Sequence, residues 1–199
     1  MLARFAGHQR SAAMVKVLAI SGSLRAASLN SMLLRVVARL APPSIQIDLY
    51  RDLGVLPLFN PDLEASDPAP VAALRARINA ADVVLIGSPE YAHGVSGVMK
   101  NALDWMVGNE SFVNKPVVLF NTSPRASHAQ SALRETLRTM SACLIDEACV
   151  SVPLLGSGLD EQGVLRHDDI REALLQALSV IERTVTAGGQ SGDAAFRIG

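Results

Sequence analysis

Only two cysteines occur among the 199 residues, Cys143 and Cys149, and neither belongs to a C-x-x-C pair or stands near a pair of histidines. That spacing offers neither a zinc site nor a disulfide framework. Both fall in an apolar stretch, so we expect two buried, reduced thiols acting as small core hydrophobes, which favours a reducing compartment such as the cytoplasm. Long apolar runs are also missing. No stretch approaches the roughly eighteen residues a membrane helix needs, so no membrane partner is expected. Nor is there a surplus of positive charge: 18 Lys and Arg face 19 Asp and Glu, for a formal net charge of -1. A dedicated nucleic-acid binder, whose affinity comes from neutralising phosphates, is thereby disfavoured, although a locally basic pocket is not. The first thirteen residues, MLARFAGHQRSAA, hold two arginines and no acid but lack the continuous apolar core of a secretory signal. A disordered extension over 1–14 is expected, with Met14 as an alternative start.

What is present is core material: 49% of the residues are hydrophobic and 19% charged, enough for one ordinary domain, expected over 15–186. The tail 187–199, with four glycines, reads as flexible. Short β-branched runs at 15–21, 45–49, 83–87 and 117–121 read as strands buried on both faces, with a fifth around 143–150. Helical spacing lies between them, as in Met32, Leu33, Val36, Val37 and Leu40, or Val71, Leu74 and Ile78. A last helix is expected over 168–186, with Ile170, Leu174, Leu178, Ile181 and Val185 on one face. Strands alternating with helices imply an α/β fold, a parallel sheet with helices on both faces, whose ligands collect beyond the carboxyl ends of the strands.

Three polar loops follow strands: 22–30, 88–97 and 122–128. In the first, "GSLRAASLN", N–H groups at a helix start suit an anion, Ser23, Ser28, Asn30 and Ser31 add donors, and Arg25 offers a fork that fits a phosphate. Capping by Ser28 alone would account for one or two of these residues. The loop is neither G-x-G-x-x-G nor a P-loop. In the second, "GSPEYAHGVSGVMKNALDW", Glu90, Tyr91 and His93 form a rim, and Gly94 and Gly97 allow a planar ligand close to the backbone. The plain alternatives are that Glu90 satisfies loop amides, Lys100 is a solvated helix residue and Trp105 packs inside. No nucleophile has a partnered base, and no metal-ligand spacing occurs, so no side chain is expected to carry catalysis and no metal is expected.

Taken together and in order, those two motifs resemble the NADPH-dependent FMN reductase family, which includes quinone, chromate and azo reductases. The likeness spans about 15–185. It implies a flavodoxin-like, five-stranded parallel sheet of order 2-1-3-4-5 and one bound FMN per subunit. The phosphate would lie near Ser23, Arg25, Ser28, Asn30 and Ser31. Pro89, Glu90, Tyr91, Ala92 and His93 would line the isoalloxazine edge, with Ser123 and Arg125 contributing from the third loop. The implied activity is hydride transfer from NADPH or NADH through FMN to a quinone, azo, chromate or flavin acceptor by a ping-pong cycle, in a homodimer or homotetramer. Two departures stand out. Ala92 and Ser96 replace the family's usual asparagine and proline, and "NTSPRASHAQ", 121–130, replaces a glycine-rich third loop. Arg125 there either meets a nicotinamide cofactor's phosphate or is simply solvated. The competing reading is a flavodoxin-type electron carrier without NAD(P)H turnover, against which the nearly neutral charge speaks.

Overall fold

A computed structural model of the chain describes residues 14–195, with side chains to Ala187. The extension expected over 1–14 lies outside the described residues apart from Met14, as do the last four residues of the expected tail. Strands β1 (Val15–Ser21), β2 (Ile45–Tyr50), β3 (Val83–Gly87) and β6 (Pro116–Asn121) form the centre of a parallel sheet. Its order, β2-β1-β3-β6-β7 with β7 at Cys143–Leu144, is the expected flavodoxin-like winding. Alternate residues of each strand serve opposite faces. Val17 and Ala19 of β1, Val83 and Leu85 of β3, and Val118 and Phe120 of β6 pack under α1 (Leu29–Leu40), α5 (Glu161–Arg166) and α6 (Asp168–Ala195). Leu18, Ile20, Val84, Ile86 and Leu119 pack under α2 (Ala69–Ala80), α3 (Gly97–Val107) and α4 (Ser127–Thr139). Burial on both faces explains why these strands read as unbroken apolar runs.

The fifth strand expected over 143–150 is instead two dipeptides, β7 (Cys143–Leu144) and β8 (Val150–Ser151), both parallel to β6. Leu144 sits opposite Val117 and Val150 opposite Phe120, so this border spends six residues where β6 spends three. A 3-10 turn over Asp146–Ala148 takes up the excess. The break also corrects the reading of the thiols. Cys143 is exposed and Cys149 half-buried, the latter packing against the apolar clusters on both faces of the sheet. The last helix runs to Ala195, beyond the expected 186. Among the described residues no helix is long and apolar enough to cross a membrane.

Candidate functional site

The switch between β1 and β3 opens at Gly22, whose N–H donates to Gly87 O at 2.8 Å. A Cβ on Gly22 would meet Ser88 Oγ at 2.4 Å, so only glycine lets the first loop lie against the second. Ser96 locks that contact: its hydroxyl donates to Gly22 O at 2.6 Å while accepting from Met99 N–H at 3.4 Å as the cap of α3.

From Ser23 to Asn30 the chain coils tightly. Ser23 N–H donates to Ser21 Oγ, Arg25 N–H to Ser23 Oγ, and Ser28 N–H to Arg25 O. Ser28 is buried and caps α1, accepting from Ser31 N–H at 3.2 Å, as the capping alternative holds. Ser31 directs its hydroxyl to Ser21 Oγ, 2.7 Å away. Among the described residues the N–H groups of Ala27, Leu29 and Asn30 have no protein acceptor, and Arg25 has no ion-pair partner. An N-terminal helix turn with open N–H groups and an adjacent free guanidinium is a receptor for a compact anion.

The second loop folds into a hairpin. β4 (Glu90–Tyr91) pairs antiparallel with β5 (Gly94–Val95), Glu90 opposite Val95 and Tyr91 opposite Gly94. The two-residue turn, Ala92 and His93, has positive φ at both positions, 47° and 60°. Two contacts tie the hairpin to the third loop. Glu90 Oε2 accepts from Ala129 N–H at 2.8 Å, supplying α4 with the cap that its own Ala126 lacks, and the His93 ring stacks on His128 at 4.3 Å. Glu90 thus serves a helix amide of α4 rather than the loop amides of its plain reading, while also lining the cleft. The first and third loops meet where Thr122 Oγ1 donates to Asn30 Oδ1 at 3.4 Å.

These contacts enclose a cleft of about 340 Å³. The first loop brings Ser23, Arg25, Ser28 and Asn30 to it, the second Pro89, Glu90 and Tyr91, and the third Ser123 and Arg125. Ser31 does not line it and borders a neighbouring hollow instead. Ala92 and His93 stand outside the lining, at the hairpin tip. Asn121, Thr122 and Leu155 also line the cleft and were missed. Leu155 follows β8 in a Pro- and Gly-bearing stretch, so a strand ending at 151 would have pointed to it. Lys100 pairs with Asp104, and Trp105 is buried with its N–H on Pro57 O, so neither belongs to the cleft. Among the described residues no group of three or more His, Cys, Asp or Glu side chains could hold a metal ion.

Residues 15–154 match the sequence profile of the family described as NADPH-dependent FMN reductase. The chain is similar to an NAD(P)H-dependent FMN reductase of Pseudomonas aeruginosa, with 36% identity over 174 residues, covering 84% of this chain and 94% of that one. It is likewise similar to a quinone reductase of Escherichia coli, 31% identical over 167 residues, 77% of this chain and 89% of the other. Among solved structures, the flavoenzyme NAD(P)H:(acceptor) oxidoreductase of Paracoccus denitrificans superposes with a TM-score of 0.71 at 29% identity, over 85% of this chain and 98% of that one.

Proposed function

The chain belongs to the NADPH-dependent FMN reductase family and is an FMN-dependent NAD(P)H oxidoreductase, and on that premise we propose how its residues serve the reaction. The observation that carries the reading is the meeting of open N–H groups at the start of α1 with the unpaired Arg25 at one end of the cleft. This donor set fits the dianionic phosphate of FMN. Ser23, Ser28 and Asn30 complete the cradle. Pro89, Glu90 and Tyr91 border the ring, with Glu90 positioning the third loop through Ala129. Ser123 and Arg125 close the far wall, where Arg125 meets a phosphate of the hydride donor. Ala92 and His93 act from the hairpin tip on whatever approaches the ring. Ser31 acts at one remove, fixing Ser21 beneath the first loop.

When bound, FMN supplies hydride acceptance at N5 and onward delivery of electrons to a quinone or similar small acceptor. No side chain is required as a base; the protein orients the partners and excludes water. The active unit is proposed to be residues 15–186. A homodimer or homotetramer is supported by exposed apolar side chains at Val55, Leu58 and Val107, and a cytoplasmic setting by two free cysteines.

Purified protein should be yellow, retain FMN and oxidise NADPH when a quinone is supplied. Failure to bind FMN at micromolar concentration overturns the reading. An electron carrier, the reading not favoured, would instead stay oxidised on anaerobic mixing with NADPH.

A further inference from the structure

Behind the first loop lies a second hollow, of about 350 Å³, on the β2 side of β1. Ser23 and Arg25 border both, so the loop is the partition between them. The floor is apolar, formed by Ala19, Leu34 and Leu49, and three arginines stand around it: Arg25, Arg35 and Arg51. Arg35 is held through its Nε by Glu161 Oε1 at 2.5 Å, and its terminal nitrogens have no acceptor among the described residues. Unlike Arg35, Arg51 has no ion-pair partner among the described residues, whereas Arg75, Arg77 and Arg134 are each matched to a carboxylate. No acidic side chain lines the hollow.

Arg51, together with the terminal nitrogens that Glu161 leaves open on Arg35, suits a phosphate monoester, while Arg25 on the partition serves the cleft. The apolar floor suits something else, a flat uncharged body attached to that phosphate, and the volume is that of a small-molecule site. Position narrows the choice. Arg51 directly follows β2, so it stands at the carboxyl ends of the strands, where the ligands of a parallel sheet collect. Because the hollow adjoins the cleft across one loop, a dinucleotide can lie over the partition with its other end at the flavin.

We propose that the hollow bordered by Arg25, Arg35 and Arg51 is the subsite for the adenosine 2′-phosphate of NADPH. It rests on the oxidoreductase reading and adds a preference for NADPH over NADH, with Arg51 as the specificity-determining residue.

The test uses FMN-loaded protein and three probes, 2′,5′-ADP, 5′-AMP and inorganic phosphate, titrated calorimetrically into wild type and R51Q. Wild type should bind 2′,5′-ADP at least tenfold more tightly than 5′-AMP, and R51Q should bring the two within about twofold. In steady state the ratio of kcat/KM for NADPH to that for NADH should fall about tenfold in R51Q. Equal affinities in wild type, a preference that survives R51Q, or inorganic phosphate binding as tightly as 2′,5′-ADP each overturn the proposal. Lower FMN content in R51Q overturns it too, since the hollow would then serve the flavin phosphate. A chain that retains no FMN and oxidises neither nucleotide defeats the oxidoreductase reading instead, so the two failures are separable.

Discussion

At the scale of single residues, the cleft depends on groups left without protein partners. Arg25 is exposed and unpaired, and a charge-assisted contact is worth about 1.5–3 kcal/mol, so R25A should weaken FMN binding more than tenfold in a fluorescence titration. The R25K variant should recover only part, because an ammonium does not reproduce the fork. The two thiols should separate by reactivity. Burial pushes the Cys149 thiol up, and its sulfur accepts from Leu119 N–H, whereas Cys143 is exposed. Iodoacetamide at pH 8 should modify Cys143 first, and Cys149 chiefly after unfolding, as read by mass spectrometry. A thiol raised in the folded state adds stability that is complete below its ordinary pKa and is lost as pH rises through the raised value. Residue chemistry of this kind was legible where it was local. The serines, the arginine and the asparagine of the first loop lie within nine positions, and their clustering was enough to suggest an anion. The His93 and His128 stack was not legible, because 35 residues separate rings that only the fold brings together. Cys143 was misread because an apolar neighbourhood in sequence does not reveal which flank of an edge strand a side chain takes.

Among the elements, the β4–β5 hairpin shows most clearly how a local departure is accommodated. A two-residue turn with positive φ at both positions favours asparagine and glycine, and here Ala92 and His93 occupy it. Alanine in the left-handed region costs on the order of 1 kcal/mol, so A92N should raise the urea midpoint by an amount equivalent to roughly 0.5–1 kcal/mol. The replacement of the family's asparagine by Ala92 is thus first a matter of backbone strain. Glu90 joins two elements that the chain does not connect directly. Removing its carboxylate in E90A uncaps α4 and should cost about 1–2 kcal/mol of stability while loosening FMN, whereas E90Q, which keeps an acceptor oxygen, should lose less on both measures. The central strands and the helix stripes were readable because burial on both faces writes uninterrupted apolar runs into the sequence. The divided fifth strand was so only in part. Between Cys143 and Val150 stand the adjacent acids Asp146 and Glu147, which marked the break in the sequence, but the three surplus residues show only as a register against β6.

For the molecule as a whole, stability and cofactor affinity are linked. Three loops from three strands are joined by Ser96 to Gly22, Glu90 to Ala129 and Thr122 to Asn30, so a ligand that bridges them stabilises the native state alone. FMN at about a hundredfold over its Kd should add roughly 2.7 kcal/mol, visible in differential scanning calorimetry as a rise in Tm that R25A diminishes.

The divided border has one more effect. A stranger's strand seeking to extend the sheet along β7 and β8 finds two docking points of two residues each, out of step with one another. At the opposite border, β2 presents Asp48, an anion clasped by Arg77, in the row that an incoming chain would have to match. Neither flank offers a long, uncharged template, and the protein is thereby guarded against stacking into fibres.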